Sequence, residues 1–309
     1  SLKGANLLLK ASQQNNNQIK SPSNEQSELT LDALKNIFLQ HLSSFSITDS
    51  RINFTDHLYN EKTILIQDLS WTNDENRHQG VGKASLPNTL AGDSLEFLID
   101  IKGDPEASND KLLGRFYAQA ENLNAIEYLQ PQINPLAELK TALVSFKLWS
   151  DFDFNGPKNI QLEWGNSEIA WSLLNESHEW KINDGFLQFS DQKKHWLFDS
   201  YDLNVVHNYI PLSDIKVSGA GIDNEFGEFD LKGVNVNSIV PFVLLFSSLP
   251  QAQLEQVLAL ELGGEVNKVG LLFDKPGEFS VTSDIDAFNN QAVAAIPGIS
   301  DANISIVSS

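Results

Sequence analysis

The sequence predicts a mainly β protein: an elongated, strongly curved antiparallel β-sheet groove, built of repeated meander modules and carrying a few short helices. Three observations lead there. Apolar and polar residues alternate: Leu95, Phe97, Ile99 and Ile101 interleave with Glu96, Leu98, Asp100 and Lys102, giving one apolar and one mostly polar face. Strand-like stretches follow one another through short turns, without the regular intervening helices of a βαβ fold. Two motifs occur twice. ITDSRINFTD at Ile47–Asp56 returns as INDGFLQFSD at Ile182–Asp191, and GRFYAQAENLNAI at Gly114–Ile126 returns as GEFDLKGVNVNSI at Gly227–Ile239. Asp-Ser and Asp-Gly in the first motif read as a turn between two strands. The second reads as a strand running into a short helix.

Taken in order, residues 1–30 form a partial strand (Leu2 to Leu9) and a Gln/Asn/Ser-rich linker. A first β-groove module covers 31–155. Leu31, Leu34, Ile37, Phe38 and Leu42 have helical spacing and predict an amphipathic helix. Strands follow near 45–55, 62–71, 77–86, 94–102 and 112–123, then a helix over Ala125–Leu129 and a strand over Ala142–Phe154. The second module, 156–260, begins with Asn159–Trp164 and Ser167–Leu174, which read as a hairpin turning at Gly165-Asn166. Strands over 196–206, 210–218 and 225–236 and helices over Ser238–Phe246 and Gln251–Val257 complete it. A strand over Leu258–Phe273 follows. Residues 261–309 start a third module that is expected to be truncated.

The chain has 309 residues, enough for a sizeable core. Its net charge of −20 argues against nucleic acid, which needs a basic footprint, and against charge docking on anionic headgroups. With no cysteine there are no disulfides, thiolate metal sites or cysteine nucleophiles. With no methionine, even at position 1, the chain is expected to be a piece of a longer one. No signal peptide is visible, and the longest apolar run, Ile239–Phe246, is too short to span a bilayer. Any membrane anchor is expected outside this stretch.

Catalytic signatures are missing. Asp49 with Asp56, or Asp184 with Asp191, would make a glycosidase-like pair, but both copies keep the acids at turn positions, where turn capping is the better reading. The histidines (41, 57, 78, 178, 195 and 207) lack metal-ligand spacing and read as solvated or hydrogen-bonded groups. There is no G-x-S-x-G elbow, and Gly219–Gly221 and Gly263-Gly264 read as turns, not phosphate loops. No cofactor or metal is expected, and the chain reads as no enzyme. Trp164, Trp171, Trp180 and Trp196 cluster in sequence; a sugar-stacking platform, a groove lining and ordinary core are all open for them.

ITDSRINFTD, the LSW at 69–71 followed by RHQGVGKASLP, the Gly-x-Phe strand leading to a helix, and PGI at 297–299 resemble the YhdP branch of the AsmA-like family, bacterial bridge-like lipid-transfer proteins. The resemblance covers roughly residues 31 to 309. It implies a curved β-groove, apolar inside and polar outside, along which phospholipid acyl chains pass between inner and outer membranes. It implies a periplasmic location with the full-length protein anchored in the inner membrane, and membrane proteins as partners at its two ends. The alternation agrees: an apolar sheet face must be covered, and few helices are predicted to cover some fifteen to twenty strands. In a groove, the residues facing lipid are Ile52, Phe54, Ile64, Ile66, Leu95, Phe97, Ile99, Phe116, Leu162, Trp164, Ile169, Trp171, Leu187 and Phe189. The alternative is a β-sandwich module that binds envelope polysaccharide, with the same residues sealed between two sheets.

Overall fold

The computed structural model describes residues 2–4, 6–9, 42–55, 61–87, 94–103, 112–153, 156–192, 195–222, 226–275 and 278–308. The helix predicted over Leu31–Leu42 falls outside the described residues except for Leu42. The mainly β, antiparallel architecture is as expected from the alternation. Two compact units divide the chain: Ser1–Ala120 with Ser150–Gly156, and Glu121–Trp149 with Pro157–Ser309.

In the first unit, β1 (Leu2–Lys3) and β2 (Asn6–Leu9) pair parallel with β3 (Ser44–Thr55). From there β4 (Glu61–Asp74), β5 (Arg77–Ser85), β6 (Leu95–Lys102) and β7 (Leu113–Asn124) form an antiparallel meander. Each boundary lies within a few residues of the prediction because strong two-residue periodicity marks it.

In the second unit, β8 (Ala137–Asp153) pairs with β10 (Ser167–Leu173), which pairs with β11 (Glu176–Asp191). Beyond them lie β12 (His195–His207), β13 (Ile210–Ile222), β14 (Phe226–Lys232) with the short β15 (Val234–Asn235), β16 (Gly263–Lys275), β17 (Glu278–Asn290) and β18 (Ile299–Ser308), each antiparallel to the one before. Three short helices interrupt the meander: α1 (Ile126–Leu129), α2 (Val236–Leu245) and α3 (Gln251–Ala259). The Asn124 side chain accepts a hydrogen bond from the Ile126 N–H at 3.1 Å and starts α1. α2 runs through Pro241 because its apolar face, with Leu244 and Leu245 almost completely buried, outweighs the lost backbone bond.

Three sequence expectations are corrected. β9 (Gly156–Trp164) and β10 are not a hairpin. Both pair antiparallel with β11, β9 with its second half and β10 with its first, so they run in the same direction, end to end. Gly165-Asn166 is the joint between them; the hairpin turn is Leu174-Asn175, with Leu174 at φ 55°.

The duplicated ten-residue motif does not join two strands. The first copy, as far as Thr55, lies inside β3 and the second inside β11: Asp49 is a left-handed step (φ 47°) with the β3–β4 register unshifted, and Gly185 (φ 148°) sits in a bulge where the β11–β12 register shifts. A bulge uses the same left-handed residues as a turn, which is why the composition suggested a chain reversal.

Gly219 and Gly221 are not turns either. They lie within β13, opposite Phe229 and Gly227. Gly263 and Gly264 open β16, and Gly264, at φ 135°, takes part in another bulge. In the second unit from β11 on, left-handed residues stand near mid-length of β11, β12 and β13 (Gly185, Asp202 and Asp214), between β14 and β15 (Gly233), and near one end of β16, β17 and β18 (Gly264, Ala287 and Asp301). Neighbouring members touch: a Cβ on Gly233 would sit 2.3 Å from the Asp214 carbonyl oxygen. Each bulge bends its strand and flips the inward parity, so the apolar face is carried across the bend.

Candidate functional site

Directly opposed residues of antiparallel strands share a face, so the register assembles the apolar surface strand by strand. In the first unit one row runs Phe45–Trp71–Gly80–Ile99–Phe116. The next runs Ile47–Leu69–Gly82–Phe97–Ala118, then Ser50–Ile66–Ala84–Leu95–Ala120, then Ile52–Ile64. Large side chains alternate with Gly and Ala. Rings lie across the gaps: a Cβ on Gly80 would come within 2.4 Å of the Trp71 ring, and one on Gly82 within 2.7 Å of Phe97.

The opposite face carries Gln79–Asp100–Arg115 and Lys83–Glu96–Gln119. Arg77 grips Asp100 through two bonds of 2.8 and 2.9 Å, and Lys83 meets Glu96 at 2.6 Å. The hydrogen bond from Arg77 holds the Asp100 carboxyl below its ordinary pKa, and that from Lys83 does the same for Glu96.

The second unit carries a longer row. Ile160 (β9), Phe189 (β11), Phe198 (β12), Gly219 (β13), Phe229 (β14), Leu271 (β16) and Val281 (β17) are paired one to the next. At ~4.8 Å per strand this is roughly 29 Å of unbroken apolar floor. Its side chains are all partly exposed, and none belongs to a buried cluster of the described residues. Aromatic contacts tie the row together: Trp196 lies 5.1 Å from Phe229, Phe198 lies 6.2 Å from Phe229, and Phe229 meets Phe273 edge-on at 6.2 Å. A parallel row includes Leu162–Leu187–Ser200 and Val217–Leu231–Val269, with the Ser200 hydroxyl accepting the Val217 N–H at 2.7 Å.

The same sheet face is covered near α2 and α3. Trp171 and Leu173 pack there with Leu139, Leu244, Leu245 and Leu254, and Trp171 is 1% exposed. Trp180 stacks on Phe242 of α2 at 4.9 Å. A second buried cluster joins Val205, Leu212, Val234 and Val266 to Val236 of α2. Asn134 clasps this cap: its amide donates to the Ser247 and Leu249 carbonyls at 3.0 and 3.2 Å, and its backbone N–H donates to Leu245 at 2.7 Å. His178 and His207 are buried beneath it, stacked 5.8 Å apart. The His207 Nδ1 meets the Ser238 hydroxyl at 3.0 Å, and burial pushes its pKa down to about 4. Burial also lowers His178, partly offset by Glu176 at 3.4 Å.

The fourteen sequence-derived candidates therefore fall into distinct settings. Ile52, Phe54, Ile64, Leu95, Phe97, Ile99 and Phe116 are partly exposed on the first unit's apolar face, with Ile66 buried among them. Leu162, Trp164, Leu187 and Phe189 occupy the open end of the second unit's face and are partly exposed. Ile169 and Trp171 are part of the helix-covered cluster. The open row also contains Phe198, Phe229, Leu271 and Val281, which single-strand alternation does not select; only the cross-strand register brings them to Phe189.

The acids of the duplicated motif are surface groups. Asp49 pairs with Lys3 at 3.4 Å and Asp191 with Lys158 at 2.9 Å; Asp56 lies outside the described residues. No group of three or more metal-ligating side chains occurs among the described residues. Among them, too, no helix is long and apolar enough to cross a membrane.

The arrangement is thus an apolar surface backed by a polar face. The chain is 21% identical over 174 residues to the intermembrane phospholipid transporter YhdP of Escherichia coli (strain K12). The match covers 56% of this chain and 13% of that protein, so the chain spans only a small part of its relative. No solved structure matches. The family model described as YhdP protein matches residues 1–309, and the chain belongs to that family.

Proposed function

We propose that this chain is a lipid-conducting segment that holds phospholipid acyl chains on its apolar sheet face. The observation that carries the reading is the seven-strand row from Ile160 to Val281. It is apolar throughout and only partly buried, and the helices pack on other residues. A monomeric soluble surface rarely leaves such a continuous apolar patch without a partner. Membership of a family with a relative named as an intermembrane phospholipid transporter supports the same conclusion.

The mechanism is non-covalent. Each methylene withdrawn from water contributes about 0.8 kcal/mol, so an acyl chain is held by length, with little selectivity for its chemistry. Uniform floors favour sliding, because one position is nearly as good as the next. The polar opposite face and the net charge of −20 keep the segment dissolved. In this reading the segment works in the periplasm of a Gram-negative envelope as part of a path between inner and outer membranes. It supports outer-membrane lipid homeostasis and the permeability barrier, and proteins at the two membranes load and unload the longer parent chain. No catalytic step is part of it.

Organic extraction of the purified chain, followed by lipid mass spectrometry, tests the proposal. Phospholipid should co-purify, and Phe229→Asp should remove it while the far-ultraviolet circular dichroism stays that of a β protein. A lipid-free chain that also fails to take up a fluorescent phospholipid would sink it.

A further inference from the structure

The polar face of the second unit's sheet carries an aromatic patch that lipid conduction does not use. Phe186 on β11 and Tyr201 on β12 are directly opposed and are 47% and 48% exposed. They follow Gly185 and Ser200, which are buried on the other face, so both rings point away from the apolar rows. Trp149 on β8 is 39% exposed and joins them. With Gln161, Leu162, Glu163, Leu187 and Gln188, these rings line a concavity of about 530 Å³. That volume lies within the ~300–1,000 Å³ of small-ligand sites.

We propose that this concavity binds a neutral sugar, as a mono- or disaccharide unit of a glycan. A pyranose ring has a face of C–H groups and a rim of hydroxyls. Three aromatic side chains offer apolar surface to the first. Gln161 and Gln188 offer donors and acceptors to the second, Glu163 accepts, and the Tyr201 hydroxyl does both.

Other ligand classes fit less well. An acyl chain would bury the Gln161 and Gln188 amides without partners, which is unfavourable. An anion would meet Glu163 on a chain of net charge −20. The Lys147 ammonium is already held by Glu163 at 3.0 Å, so it offers little free positive charge. The tryptophans that the sequence offered as a sugar platform lie elsewhere: Trp171 and Trp180 are under the helices, Trp196 packs on Phe229 of the apolar row, and Trp164 lies opposite Gly185 on the apolar face.

Saturation-transfer difference NMR on the 309-residue chain, with maltose, cellobiose and diacetylchitobiose as probes, tests this site. Transfer to the ring C–H protons of at least one disaccharide is expected. The Phe186→Ala/Tyr201→Ala double variant should weaken that sugar's Kd by about tenfold or more by titration calorimetry. Uptake of fluorescent phospholipid should be unchanged in the same variant, since the Phe186 and Tyr201 rings face away from the apolar rows and their removal leaves Leu162 and Leu187 in place; this keeps the outcome independent of the lipid proposal. If the double variant fails to fold, Gln188→Ala, at an exposed position, should lower the sugar affinity instead. Absence of transfer to all three disaccharides overturns the proposal. So does transfer that survives unchanged in a folded Phe186→Ala/Tyr201→Ala chain, or in Gln188→Ala where that is the variant tested.

Discussion

Trp171 and Phe229 occupy the same kind of position: an inward-facing aromatic residue on a long strand of one meander. Trp171 is 1% exposed beneath α2, in contact with Phe242 at 6.4 Å. Phe229 is partly exposed, touched by Trp196, Phe198 and Phe273 from its own sheet. The local patterns of the two strands are equivalent. What differs is the presence of a second layer. Where α1, α2 and α3 pack, the apolar face becomes an ordinary core; away from them it is left partly exposed. In the lipid-conducting reading proposed above, stability and ligand contact are thereby separated along the strands.

The largest expected effect tests that separation. Trp171→Ala should cost about 3–5 kcal/mol, as removal of a buried aromatic side chain does. Phe229→Ala should cost far less in urea unfolding, yet lower the amount of co-purified phospholipid. Equal destabilisation by the two substitutions would show that the Phe229 row is sealed like a core.

Next in size is a pH effect confined to the capped region. His207 faces His178, Trp180 and Ser238, with Glu176 beyond His178. Its folded pKa is about 4 against 6.5 in the unfolded chain. The unfolded state therefore binds a proton first as pH falls. The stability present above pH 6.5 is lost on the way to pH 4, by up to about 3 kcal/mol at 1.36 kcal/mol per pH unit. Urea midpoints at pH 7 and pH 4.5 should differ more for the parent chain than for His207→Gln. Equal differences would remove His207 from the account.

Asn134→Ala should be somewhat milder. It leaves the Ser247 and Leu249 carbonyls without their donor and should cost about 1–3 kcal/mol. Because the clasp holds the cap, hydrogen exchange should rise in α2 and α3 before it rises in β14 and β16. Uniform acceleration would mean that cap and sheet open as one unit.

The sequence made the strands legible because their period of two is strong, and it showed α2 and α3 for the opposite reason, a break in that period. It could not distinguish a left-handed step inside a strand from a turn at Asp49 or Gly185, since both conformations favour the same residues. It read Gly219 and Gly221 as turns because a strand glycine makes sense only when the neighbouring ring is known: a Cβ on Gly219 would stand 2.6 Å from Phe229, and one on Gly221 would stand 2.3 Å from Trp196. The row from Ile160 to Val281 was illegible because it is a property of pairing between strands. Burial of His178 and His207 was illegible because both are covered by a helix that starts some thirty to sixty residues later.

The smallest effect comes from the polar face. Arg77→Ala removes a bidentate bond to Asp100, but Arg77 is half exposed, so the pair is screened and the urea midpoint should barely move. Lipid uptake should be unchanged, because the Gln79–Asp100–Arg115 row lies on the opposite side of the sheet from Trp71, Ile99 and Phe116. A lipid defect from Arg77→Ala in a chain of unaltered stability would show that the two faces are coupled, and would end the assignment of solubility to one face and ligand contact to the other.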